Sequence, residues 1–190
     1  MSIEAELTAL LAHPEQVRAA LAGRAVGEAS VYADAYYDRP DLSMVARGYE
    51  LRLRTITTSS GDRVVLTYKE PAVDEFGSKP EHETEVAERA VPHTMFLGLG
   101  LVEHISYRKH CDNFRFTAHG HDLLASVVRI PELAGRTFLE LETITEPDDL
   151  SDALTALRAV LGELGVTDQE LITDSYTDLV AASRAEPDRR

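Results

Sequence analysis

The chain has 190 residues, 44% of them hydrophobic, which is the size and composition of one compact domain with a sizeable core. Nineteen Lys and Arg against 33 Asp and Glu leave a net charge of −14, which repels nucleic-acid backbones and anionic membranes and excludes nonspecific nucleic-acid binding unless the cations are gathered in one place. The single cysteine, Cys111, excludes an internal disulfide and Cys-rich zinc sites, and with no signal-like start and no long apolar run the expected setting is cytoplasmic, with no membrane partner.

Ile3, Ala5 and Leu7 alternate with Glu4, Glu6 and Thr8, the period of a strand with one apolar and one polar face. Pro14, Val17 and Leu21, stopped by Gly23, predict a short helix. A Val- and Tyr-rich strand from Ala25 to Asp38 ends at Arg39-Pro40-Asp41; strands at Tyr49 to Thr57 and Arg63 to Lys69 then form a hairpin across Ser59-Ser60-Gly61-Asp62. A polar loop precedes a strand at Glu81 to Ala87, and Pro92 opens a helix ending near Gly98 to Gly100. Three strands are expected at Leu101 to Lys109, Asn113 to Ala118 and Asp122 to Arg129, the last two joined by His119-Gly120-His121. Thr137 to Thr145 alternates as another strand, Leu150 to Leu164 is a helix closed by Gly165, and Asp168 to Ala182 is a last amphipathic piece. The domain is expected to span 1–182, with 183–190 a disordered tail.

Many short strands and few helices indicate α+β with one large antiparallel sheet. Six i, i+2 polar sets each share a strand face: Glu4 with Glu6, Arg52 with Arg54, Val65 with Thr67 and Lys69, Glu81 with Glu83 and Glu85, Arg115 with Thr117, and Glu140 with Glu142. Any one set by itself reads more readily as a solvated face, but six together weaken that reading, because the opposite faces (Leu51 and Leu53, Leu66 and Tyr68, Phe114 and Phe116, Leu139 and Leu141) need covering. A closed antiparallel β-tunnel with flanking helices satisfies both requirements and removes exposed edges. Guanidinium and ammonium groups beside paired carboxylates suit a polyphosphate with its Mg2+ or Mn2+.

The order Glu4-x-Glu6, Tyr36-Tyr37-Asp38, Leu51-Arg52-Leu53-Arg54, Leu66-Thr67-Tyr68-Lys69, Glu81-His82-Glu83-Thr84-Glu85, Phe138-Leu139-Glu140-Leu141-Glu142 and Ser175-Tyr176-Thr177-Asp178-Leu179 resembles the CYTH superfamily, with its triphosphate tunnel fold, and is most similar to the class IV adenylyl cyclase-like branch. The resemblance implies metal at Glu4, Glu6, Glu140 and Glu142, catalytic roles for Glu4, Glu6, Lys69 and Lys109, and substrate contacts from Arg52, Arg54, Lys69, Lys109, Arg115, Glu83 and Glu85. It implies a nucleotide or other triphosphate as ligand and a homodimer as the assembly. Cyclisation of ATP to cyclic AMP and pyrophosphate is the leading expectation; a triphosphatase acting on thiamine triphosphate or inorganic triphosphate, an enzyme redirected to another phosphorylated metabolite, and a noncatalytic binding protein are the alternatives.

Three positions depart from the family pattern. Thr8 stands where a lysine completes Glu-x-Glu-x-Lys, Cys111 falls where the Lys-x-Arg strand places arginine unless a slipped register lets Arg108 substitute, and Ala125 lies about where an aspartate is usual. His119-Gly120-His121-Asp122 reads as a turn rather than a metal clip, Cys111 as a buried hydrophobe, and Gly98-Leu99-Gly100 as a helix end rather than a phosphate loop.

Overall fold

A computed structural model describes residues 2–185. Its nine strands are β1 (Ile3–Leu10), β2 (Glu28–Asp38), β3 (Glu50–Thr58), β4 (Gly61–Lys69), β5 (Lys79–Val86), β6 (Val102–Ala118), β7 (His121–Arg129), β8 (Phe138–Thr145) and β9 (Leu171–Ile172). The helices are α1 (Pro14–Ala22), α2 (Ala90–Gly98), α3 (Leu150–Glu163) and α4 (Tyr176–Ala185).

The strands pair in the order β5-β4-β3-β2-β6-β7-β8-β1-β9, and β5 also pairs with β1. That last pairing, Ile3 with Pro80 and Glu4 with Lys79, closes an antiparallel barrel of eight strands and leaves the two-residue β9 hanging beside β1. The expected tunnel is therefore present.

Alternation fixes which residues face the lumen. On β1, Ile3, Ala5, Leu7 and Ala9 are buried outside the barrel, so Glu4, Glu6 and Thr8 point in. The outer faces of β1, β7 and β8 pack on Val17 and Leu21 of α1 and on Ala153, Leu157, Val160 and Leu161 of α3. A second outer patch around Ala35, Tyr37 and Leu53 is covered by Phe96 of α2 and Leu101. Each fully buried aliphatic side chain there contributes about 1.5–3 kcal/mol, so the helices hold the barrel shut from outside.

The structure corrects four expectations. Residues 102–118 form one 17-residue strand rather than two, because β6 bridges β2 through its first part and β7 through its second without losing a ladder. The hairpin to β7 is the expected turn: His119 and Gly120 both take positive φ, 50° and 81°, as a tight two-residue loop requires. The stretch from Asp168 is not one amphipathic helix. A Thr167–Glu170 capping box limits the first part to one 3-10 turn, Leu171-Ile172 joins β1, and α4 starts at Tyr176. That helix runs through Ala185, so 183–185 are helical, and the rest of the expected tail, 186–190, lies outside the described residues.

The fourth correction concerns the lumen, which is not polar throughout. Leu10, Tyr32, Ile56, Val65, Cys111, Val128 and Phe138 share an apolar cluster with Tyr176, Leu179 and Val180 of α4, which plugs one end of the barrel. Ser183 and Arg184 tie α4 down by donating to Glu132 and to the Ser106 carbonyl.

Candidate active site

The lumen holds a cavity of about 430 Å3 whose wall is dominated by charged side chains. In the antiparallel register Glu6 of β1 sits opposite Glu142 of β8, and Thr8 opposite Glu140. Glu4, Glu6 and Glu142 each offer a carboxylate oxygen, and these atoms lie within 4.8 Å of one another. Three carboxylates gathered in this way form a set of hard oxygen donors able to hold a metal ion.

Cations face these acids from the neighbouring walls. Lys69 of β4 bridges Glu4 and Glu81, its Nζ 2.8 Å from Glu81 Oε2. Lys109 of β6 donates to Glu140 Oε1 at 2.7 Å, both side chains being buried. Arg54 forms a two-pronged bond to Asp34, at 2.6 and 2.7 Å, and lies 4.6 Å from the Tyr32 ring centre. Arg52 Nη2 donates to Thr67 Oγ1 at 3.1 Å, Thr67 Oγ1 donates in turn to Glu83 Oε2 at 2.9 Å, and Arg52 Nε has no hydrogen-bond partner among the described residues. Lys79 pairs with Glu50.

The crowding sets the protonation pattern. Burial pulls Glu4 upward, but Lys69 and Arg52 outweigh it and hold the carboxyl at about 2. Glu6, with burial reinforced by the Glu4 and Glu140 carboxylates, is pushed up to about 7. Burial and the same neighbours, with Glu6, raise Glu142 well above the usual carboxylate range. Burial and Glu4 raise Glu81 to about 7. Asp34 is desolvated too, yet the Arg54 guanidinium holds it at about 2. A metal-free acid cluster of this kind keeps protons that a divalent cation would displace.

Most residues singled out from sequence converge here. Glu4, Glu6, Arg52, Arg54, Lys69, Glu83, Lys109, Arg115, Glu140 and Glu142 all line the cavity. Arg115 stands exposed at its rim. Glu140 is drawn away from the other acids into its Lys109 pair, so the compact triad is Glu4, Glu6 and Glu142. Glu85 lies on an exposed stretch of β5 and is absent from the cavity wall.

The departures also find their places. Thr8 lines the cavity and donates to Glu6 Oε1 at 2.9 Å, supplying a hydroxyl where the family pattern has a cation. Cys111 is buried in the apolar cluster, where desolvation raises its thiol to about 12, unsuited to a nucleophile. Ala125 is fully buried on the outer face against the helices, and its neighbours Leu124 and Ser126 face the lumen.

Sequence reasoning missed Asp34 and the aromatic wall of Tyr32, Tyr36, Tyr107 and Tyr176. The available signal was Tyr32-x-Asp34-x-Tyr36, a period-two set on β2 that is mixed in chemistry rather than charged throughout. Beside Tyr32, Asn113 bonds Ser30 and Tyr32 and accepts from Ser126, a neutral network with its polar groups satisfied.

Comparison with known proteins agrees with this geometry. The CYTH domain family model matches residues 2–176. A Pyrococcus horikoshii structure superimposes with a TM-score of 0.80 at 24% identity, covering 95% of this chain and 99% of that one. A proposed adenylate cyclase from Vibrio parahaemolyticus gives 0.79 at 18%, covering 94% and 98%. A proposed adenylyl cyclase from Hippeastrum, described as having a dominant triphosphatase activity, gives 0.68 at 18%, covering 98% of both chains. No curated protein matches the chain in sequence.

Proposed function

This chain belongs to the CYTH domain family, and from that premise we propose that it is a metal-dependent enzyme acting on a nucleoside or other organic triphosphate inside the tunnel. The observation that carries the reading is the Glu4, Glu6 and Glu142 triad facing Lys69 and Arg52 across one cavity. Glu4, Glu6 and Glu142 would hold Mg2+ or Mn2+, which when bound supplies a Lewis acid for phosphoryl oxygens.

The chain's own groups do the positioning. Arg52, with its unpartnered Nε, and Lys69 contact phosphate oxygens near the metal; Arg54 and Lys109 lie deeper, and Arg115 receives the anion at the rim. Arg52, Arg54, Lys69 and Lys109 are each bonded to an acid or hydroxyl, internal pairs that a triphosphate and metal exchange for their own. Positioning and charge stabilisation are the main demands of phosphoryl chemistry, which requires no protein nucleophile.

In the leading reading the ribose 3′-hydroxyl attacks the α-phosphorus and pyrophosphate leaves, as in class IV adenylyl cyclases. Hydrolysis at the terminal phosphorus is the second reading, favoured by Thr8 and Cys111. With cations missing at two family positions the hold on the ligand is shorter, and attack by water does not require the nucleoside to fold onto its own α-phosphorus. Phosphorus NMR of the protein incubated with ATP, thiamine triphosphate and tripolyphosphate, each with Mg2+ or Mn2+, tests the proposal. Pyrophosphate with cyclic AMP supports the cyclase, orthophosphate supports the hydrolase, and no metal-dependent product from any of the three contradicts both.

A further inference from the structure

The closing motif Ser175-Tyr176-Thr177 contributes to the cavity wall, although it lies outside the barrel sequence. Tyr176 opens α4, where the Asp178 N–H donates to Ser175 Oγ at 3.1 Å and so fixes the first turn. Its ring packs edge-on to Phe138, 5.1 Å between centres, and lies 5.1 Å below the Lys109 ammonium. The phenol oxygen is buried and has no hydrogen-bond partner at ordinary length among the described residues. The Glu140 carboxyl is the acceptor close enough to interact with it, and its Oε1 already takes a proton from Lys109.

An unbonded buried hydroxyl costs desolvation without return, and native proteins keep such groups where a ligand completes them. Three buried polar atoms on the cavity wall lack hydrogen bonds among the described residues: Glu81 Oε2, Arg52 Nε and Tyr176 Oη. Glu81 Oε2 is nevertheless faced by Lys69 at 2.8 Å, which leaves the two donors. Arg52 is on β3, whereas Tyr176 packs against β8, which lies opposite β3 in the order of the ring. The cavity thus offers one unused buried donor from each side, while Lys69, Arg54 and Lys109 are paired with acids. A neutral phenol offers its O–H as a donor.

We propose that Tyr176 is a ligand-binding residue whose phenol donates a hydrogen bond to a non-bridging phosphoryl oxygen, across the lumen from Arg52. The inference rests on the triphosphate reading above. It makes α4 part of the binding site as well as the barrel's plug. Anchorage of α4 to Glu132 and Ser106 then bears on affinity.

The test compares wild type and Tyr176→Phe by calorimetric titration with tripolyphosphate and ATP in Mg2+, and by thermal unfolding without ligand. Phenylalanine keeps the ring under Lys109 and against Phe138 and deletes only the donor. The variant is expected to unfold at the same or a higher temperature than wild type and to bind tripolyphosphate about tenfold more weakly. A purely structural tyrosine would instead leave affinity within about twofold, which overturns this inference and leaves the triphosphate reading intact. Wild type binding neither probe overturns both.

Discussion

Asp34 and Arg54 show what burial does to a single pair. Asp34 has no exposed side-chain surface and accepts both prongs of a guanidinium that is itself 12% exposed. Asp34→Asn leaves a buried cation without its counter-charge, and urea titration should show a loss of about 3–5 kcal/mol. Replacing both residues by Leu and Met should cost much less, since the desolvation penalty leaves with the charges. Equal losses in the single and double variants would contradict that account. The same residues mark the limit of the sequence. Glu4, Glu6, Arg52, Lys69 and Glu142 were legible because each repeats its charge two positions along or matches a family motif, and alternation alone puts such residues on one face. Asp34 sits between Tyr32 and Tyr36, and only the β2–β3 register, which sets it opposite Arg54, reveals its role. The pairing of Glu140 with Lys109, rather than with the other acids, is likewise a property of side-chain reach across strands.

At the scale of elements, α4 is the most consequential piece. Its Leu179 and Val180 close the apolar end of the lumen, and its first residue reaches the cavity. Ser175 supplies the hydroxyl that receives the Asp178 N–H, so Ser175→Ala should cost about 1 kcal/mol, concentrated in this helix. Hydrogen exchange should show faster protection loss at Leu179 and Val180 with β1 and β8 unchanged; uniform loss over the barrel would contradict a local cap. Strand positions were readable because apolar and polar residues alternate. The continuity of β6 was not, since Lys109, Cys111 and Asn113 mix polar and apolar residues on one face while His110 and Asp112 are polar on the other, where the strand passes from one partner to the next. The 168–182 segment misled for a different reason: its apolar spacing suits a helix, but the Thr167–Glu170 box and the bridge from Leu171 to Ala9 hold its start in other conformations.

Across the whole molecule the barrel gathers acids at a cost that depends on pH. Glu6 and Glu81 rise from an ordinary 4.5 to about 7, so the folded state keeps protons that the unfolded chain releases. By linkage their contribution to stability falls as pH rises from about 4.5 to 7 and is then constant. Glu4 and Asp34, held at about 2, act in the opposite sense: their stabilisation is present above the ordinary carboxylate value and is lost as pH falls toward 2. The metal-free protein should therefore lose stability on passing from mildly acidic to neutral pH. A divalent cation should restore it most where the triad is ionised, since binding the folded state alone raises stability with the logarithm of free cation over its dissociation constant, and ionised acids bind more tightly. The most direct measurement is the unfolding temperature of wild type and Glu142→Gln between mildly acidic and mildly alkaline pH, with and without Mn2+. The account predicts that Mn2+ raises the wild-type temperature, more at alkaline than at acidic pH, and leaves Glu142→Gln nearly unmoved. The same response to Mn2+ in both proteins, or none in wild type at alkaline pH, would contradict a metal site at Glu4, Glu6 and Glu142.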